Sequence, residues 1–240
     1  MKIIKRFILL IIISTIVISC NQPVKAIHKE FGQTLNTEIN NYTEQNQKQI
    51  NLDFGFKLIV GQEEELEKVM TYTYLKLIRY NTTIYVDSSF TEYECGNKLF
   101  PIILKTGDNS FELLIEVNNR PNKNYLKRLY IKGDKLSKQD ILPTFESNPI
   151  DINKDGIKEY AGFWDYSQVW GENNDFTAYN PILYYSVTSN GLRLDSLLTK
   201  QRNEMIYGVF YGFSFSETHE QPARVIEKFE KELELINRKP

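Results

Sequence analysis

Hydrophobic and polar residues alternate with a period of two along most of the chain after residue 53. Phe54, Phe56, Leu58 and Val60 are interleaved with Gly55, Lys57 and Ile59, the mark of a half-buried strand. A turn is expected at Gly61, Gln62, Glu63 and Glu64, then a strand over 66–79, whose Tyr, Thr, Val and Ile content favours β structure. Asn81, Thr82 and Thr83 reverse the chain into a strand over 84–87. The same rhythm predicts strands over 99–104, 111–117 and 125–131, with turn-forming residues at 105–109, 118–124 and 132–135. Residues 142–149, punctuated by Pro143 and Pro149, read as an extended passage between an N-terminal β part (54–148) and a C-terminal one (149–240). Closely spaced strands with turn signals between them predict antiparallel sheets rather than β-α-β units.

Beyond residue 149, strand character resumes at 160–164. Trp164, Tyr166, Trp170, Phe176 and Tyr179 then crowd a stretch interrupted by 171–175. Residues 183–187 and 192–197 flank Asn190-Gly191, a strong hairpin signal. Residues 205–215 alternate glycine with aromatic side chains and read as a last strand or bulged pair. Only at the end does the period lengthen: Val225, Ile226, Phe229, Leu233 and Ile236 share one helical face between about Pro222 and Asn237. Glu227, Glu230, Glu232 and Glu234 are expected on its polar side, with Thr218 or Gln221 available as a cap. The fold class expected is mainly β, with antiparallel sheets arranged as a sandwich or a partial propeller and a C-terminal amphipathic helix.

The first nineteen residues break this pattern. Lys2, Lys5 and Arg6 precede an apolar run over 7–18 that is too short to favour a membrane span, and Val17-Ile18-Ser19-Cys20 closes it. This segment resembles the signal peptide and lipobox of bacterial lipoproteins. That resemblance implies cleavage before Cys20, diacylation of its sulfur and acylation of its amine, which together hold a protein stably on a bilayer. Residues 20–53 are then the lipidated cysteine and a polar tether rich in Asn, Gln and Thr, in which Ile27, Phe31, Leu35 and Ile39 have the spacing of a short helix. With Lys2, Lys5 and Arg6 set aside, the 29 basic residues fall to 26 against 31 acidic ones, a net charge near −5. That balance argues against a nucleic-acid partner. With Cys20 committed to lipid, Cys95 has no intrachain partner, so no disulfide supports the fold; with no His near it in sequence, it reads as a packed or inert thiol. Composition, lipobox and the single acidic loop near 151 together are similar to lipoproteins of the Bacteroidota type; Asn21 after Cys20 is not the Asp that favours inner-membrane retention, so a place on the outer membrane facing the periplasm is expected.

One stretch carries specific chemistry. In residues 151–159, DINKDGIKE, oxygen-bearing side chains recur at Asp151, Asn153 and Asp155, Gly156 follows where the chain must turn sharply, and Glu159 closes the run. The spacing resembles the calcium loop of FG-GAP and related integrin-type β repeats. The resemblance implies side-chain oxygens from Asp151, Asn153, Asp155 and Glu159 and the backbone carbonyl of Ile157, around a structural calcium held with roughly millimolar to tens-of-micromolar affinity. Gly162 stands where an EF-hand needs its bidentate Glu, and the flanks read as strands, so that alternative fails. A β-turn held by Asx hydrogen bonds would produce part of the same pattern. Trp164, Tyr166 and Trp170 make a candidate ligand platform, and core packing is the competing reading of those rings. No triad, zinc spacing or phosphate loop is present in the sequence. The expected function is a membrane-anchored, calcium-stabilised binding module for an envelope protein or glycan. The alternatives are an inhibitor or immunity protein against lysozyme-like hydrolases, which similar periplasmic lipoproteins suggest, and a carbohydrate-active enzyme using Asp165, Glu172 or Asp175.

Overall fold

A computed structural model of the chain describes residues 47–66, 69–88, 90–95, 99–166 and 168–238. The expected signal segment, Cys20, the short helix over 27–39 and most of the tether lie outside the described residues. Residues 44–240 form one compact unit, mainly β, of open antiparallel sheets. No described helix is long and apolar enough to cross a membrane.

The first sheet holds nine strands: β1 (Lys48–Asn51), β2 (Phe56–Leu66), β3 (Val69–Arg79), β4 (Thr82–Asp87), β5 (Tyr93–Glu94), β6 (Ile102–Gly107), β7 (Ser110–Val117), β8 (Tyr125–Lys132) and β9 (Lys135–Pro143). The path runs β1-β2-β3-β5-β7-β8-β9, with β4 beside β3 and β6 beside β7. Two-residue β5 is the joint, pairing Thr71 and Tyr72 on one side with Glu116 and Val117 on the other. Across this joint the inward faces meet. Leu58 and Val60 of β2 and Leu75 and Leu77 of β3 share a buried core with Phe111, Leu113 and Ile115 of β7 and Leu129 and Ile131 of β8. In β2 and β8 the period-two pattern that predicted the strands is largely the pattern of burial.

Several boundaries differ from the sequence reading; β6, expected over 99–104, runs Ile102–Gly107 into the turn expected at 105–109. Asp53–Gly55 forms a 3₁₀ turn, so β2 begins at Phe56. The turn expected at Gly61 to Glu64 is instead strand, because the β2–β3 ladder continues to the pair Leu66↔Val69. The reversal into β4 falls at Tyr80 and Asn81, both at positive φ.

β7 is buried on both faces. Its outward Leu114 packs with Leu126, Leu142 and Phe145 against Tyr160, Leu183, Tyr185 and Leu192 of a second sheet. That sheet has the order β10 (Glu159–Gly162), β13 (Leu183–Thr188), β14 (Gly191–Leu194). Phe145 stacks on Tyr160 with centroids 4.7 Å apart. The opposite face of the second sheet carries Ala161 and Tyr184 into a third core cluster, with Phe163, Tyr179 and Ile182, beneath two helices. These are α1 (Ser196–Tyr207) and α2 (Arg224–Ile236). A third small sheet, β11 (Val169–Trp170), β12 (Phe176–Tyr179) and β15 (Ser216–Pro222), lies beside it in chain order and contributes Tyr179 to that cluster.

α2 buries Val225, Phe229 and Ile236, as its periodicity predicts, but Glu232 is buried with them. Arg202 pairs with the Glu232 carboxylate, donating from Nε at 2.7 Å, and the Tyr184 hydroxyl donates to the same group. The expected side-chain cap from Thr218 or Gln221 is absent; Ala223 occupies the N-cap. α1 overturns the strand expected to run to Leu197 and the strand expected from Met205. Asp195 caps it by accepting from Leu198 N–H at 2.8 Å, and Gly208, at φ 78°, ends it.

Candidate functional site

The 151–159 loop hangs from a single antiparallel bridge between Ile150 and Glu159, whose backbones exchange hydrogen bonds of 3.1 and 2.8 Å. Glu159 is also the first residue of β10, paired with Ser186, so the loop is fastened directly to the second sheet. Within it, short polar side chains organise the backbone. Asp151 accepts from Asp155 N–H at 3.1 Å and Gly156 N–H at 2.9 Å. Asn153 accepts from Asp155 N–H at 3.1 Å, and Asp155 accepts from Ile157 N–H at 2.8 Å. These are Asx turns, the competing pattern that the sequence also allows, and the two descriptions coexist because each carboxylate oxygen has more than one lone pair. Lys154 and Gly156 take positive φ, 64° and 90°; a Cβ at Gly156 would meet only open space, so backbone conformation alone favours glycine there.

Glu159 differs from its neighbours. Only 1 % of it is exposed, its Oε2 accepts from Ile152 N–H at 3.1 Å, and its Oε1 is buried without a hydrogen-bond partner. Burial raises its carboxyl above the ordinary value, and the carboxylates of Asp155, Asp151 and Asp195 raise it further against the opposing Ile152 N–H. Glu159 is thus a buried carboxyl with one unpaired oxygen, raised further by neighbouring carboxylates, an arrangement that a hard cation relieves. The donors fit such an ion, being oxygen only. Asp151 and Asp155 spend oxygens on loop N–H groups, and among the described residues no three His, Cys, Asp or Glu side chains converge at metal-ligand spacing. Asp195 had no sequence signal, since it is remote in the chain and belongs to the cap of α1.

The aromatic residues after the loop are dispersed over different elements. Trp164 is half-buried against the core between the first and second sheets. Tyr166 is exposed, and Trp170 sits in β11 opposite Phe176 of β12. Asp165 receives the N–H of Tyr166 at 2.8 Å, while Glu172 and Asp175 are exposed at the β11–β12 turn. Cys95 is buried, and burial pushes its thiol up to about 12, so it holds no thiolate at neutral pH. His219, expected at the surface, is half-buried and stacks on Tyr211 with centroids 4.0 Å apart.

Comparison with protein-family models, curated proteins and solved structures finds no match. The functional reading therefore rests on the residues themselves.

Proposed function

We propose that this protein is a lipid-anchored bacterial envelope lipoprotein whose ectodomain is a non-enzymatic binding or interaction module, clipped by calcium in the 151–159 loop. The observation that carries the calcium reading is the buried, unpartnered Oε1 of Glu159 in a field of three further carboxylates. Asp151, Asn153, Asp155 and Glu159 would supply side-chain oxygens and Ile157 its carbonyl. A cation there would neutralise the charge and tie the loop to β10, which makes the role structural. The anchor is supported by the basic start, apolar run and Val17-Ile18-Ser19-Cys20 ending of the leader.

Thermal unfolding of the full-length protein in detergent tests the clip. A ligand that binds only the folded state adds RT ln(1 + [L]/Kd), about 1.4 kcal/mol when calcium is in roughly tenfold excess over Kd. The melting temperature should therefore rise by a few degrees in millimolar calcium relative to chelator. An unchanged transition, or an Asp155→Ala variant that responds like the parent, rejects the clip. The anchor is tested separately: labelled palmitate should be incorporated by the parent and lost in Cys20→Ala.

A further inference from the structure

At one end of the first sheet, where the register aligns Tyr93, Val117 and Tyr125, a groove of about 520 Å³ opens between the chain entering β5 and the β7–β8 loop. Two rings line it: Phe90, fully exposed, and Tyr125, half-buried at the start of β8. Glu92, Asn118, Asn119 and Arg120 line it as well, together with Thr91 and Val117. The volume falls within the range of small-molecule sites, and a few placed polar groups beside aromatic surface are what fix a ligand's orientation in them. These groups are held in place. Asn118 N–H donates to the Glu92 carbonyl at 2.8 Å, and its Nδ2 donates to Glu92 Oε2 at 2.6 Å. Arg120 N–H donates to Asn118 Oδ1 at 3.2 Å. Asn119 is fixed at both ends, by its N–H to Asn124 Oδ1 and by its Nδ2 to the Lys123 carbonyl, each at 3.2 Å. Such pre-organisation removes part of the ordering cost of binding.

We infer that this groove binds a neutral saccharide. A sugar presents hydroxyls that both donate and accept, together with apolar C–H faces. The carboxylate and amides supply acceptors, the guanidinium supplies donors, and the rings offer surfaces for C–H packing. Glu92 and Arg120 cancel in charge, so the groove lacks the positive excess that selects a phosphate or a polyanion. A wholly apolar ligand would desolvate these polar groups without pairing them. The inference rests on the binding-module reading above, but it uses neither the calcium loop nor the anchor, and it places the ligand away from Trp164, Tyr166 and Trp170.

Calorimetric titration of the full-length protein in detergent tests it, with chitotriose, cellotriose and maltotriose as neutral probes and trigalacturonate and a tetra-alanine peptide as controls. One neutral trisaccharide should bind in the micromolar to millimolar range. Phe90→Ala and Glu92→Gln should each weaken it about tenfold, the loss expected for one ring face or one charged acceptor. Trp170→Ala should leave it unchanged. Because Phe90 is exposed, Phe90→Ala should melt with the parent, which separates lost binding from lost fold. The inference is overturned if no neutral probe binds, if Phe90→Ala binds like the parent, or if trigalacturonate or the peptide binds more tightly. Binding lost in Trp170→Ala alone overturns the groove and upholds the module reading, whereas the calcium melt reports on the loop whatever the sugars do.

Discussion

Glu159 is the residue at which the candidate loop is both weakest and most informative. A carboxyl whose folded value is raised above its unfolded one makes the folded state hold a proton that the unfolded state has released, between those two values. The folded state binds more protons across that window, so stability falls as pH rises through it. Glu159→Gln removes this loss and keeps a carbonyl to accept from Ile152 N–H. In chelator at pH 7 this variant is expected to melt above the parent and to lose the parent's decline in stability just above the normal carboxylate range. In calcium the order should reverse, because the parent gains the ion with its full carboxylate charge and the variant offers the ion one carboxylate fewer. Melting curves at several pH values with calcium or chelator decide this, and a variant that is less stable than the parent in chelator would contradict it. The spacing of Asp151, Asn153, Asp155, Gly156 and Glu159 was legible in the sequence because each sits within a few residues of the next. The surroundings of Glu159 were not legible, since its strand partner Ser186 and the Asp195 charge that helps raise its carboxyl are remote in the sequence.

At the scale of elements, α1 is held to the second core in an unusual way, through polar side chains four residues apart on one helix face. The Tyr207 hydroxyl donates to the Asn180 carbonyl at 2.8 Å and accepts from its N–H at 3.2 Å. Asn203, fully buried, accepts from Ile182 N–H at 3.0 Å and donates to the Ile182 carbonyl at 2.7 Å. The Thr199 hydroxyl accepts from Tyr184 N–H at 3.1 Å. Four helical residues rise about 6 Å, and two strand residues span about 6.6 Å, so the steps match and the helix replaces a neighbouring strand along 180–184. Asn203→Leu leaves the N–H and carbonyl of Ile182 buried without partners, at about 1–3 kcal/mol each. A loss of about 3 kcal/mol in urea unfolding is expected, with Thr199→Val costing about 1 kcal/mol. An Asn203→Leu variant as stable as the parent would show that α1 is held by its apolar contacts instead. The same polar face explains why α1 was not read as a helix: Thr199, Asn203 and Tyr207 bury beside Leu198 and Ile206, so no continuous apolar stripe repeats at 3.6 residues. β9 escaped notice for the opposite reason, because the polar run at its start is mostly exposed and shows no alternation. The strands β2, β3 and β8 and helix α2 were legible because their hydrophobic period largely matches their burial, and β7 because its apolar-rich run suits a strand buried on both faces.

At the scale of the whole molecule, β7 and β8 form a wall shared by two cores, and a polar junction crosses it. Arg128 of β8 donates to both oxygens of Asp140 on β9, at 2.7 and 2.8 Å, and to the Leu192 carbonyl of β14 at 3.1 Å. It lies 3.8 Å from Glu112 of β7, which is 3 % exposed and accepts from Leu192 N–H at 3.2 Å. Gly191 is required beside this junction: its φ is 95°, and a Cβ would lie 2.1 Å from Glu112 Oε1. The charges thus cross from the second sheet to the first within a layer of apolar and aromatic side chains, Leu114, Leu126, Phe145, Tyr160 and Leu183 among them. Half-exposed Asp140 screens its own share, so the energetic weight falls on buried Glu112. Removing the cation alone leaves a buried carboxylate uncompensated, for which losses of about 3–5 kcal/mol are typical. Arg128→Met is therefore expected to cost about 3 kcal/mol in urea unfolding at neutral pH and less in mild acid, where Glu112, already raised by burial, takes up a proton. Glu112→Gln added to Arg128→Met should restore part of the loss, since a neutral amide can still accept from Leu192 N–H. If the double variant is as unstable as Arg128→Met, the junction acts through the Leu192 and Asp140 bonds of the arginine, and the charge on Glu112 is incidental. Because both cores share β7, the parent and both variants should unfold in one transition at all probes, with the loss appearing as a lower midpoint at unchanged slope.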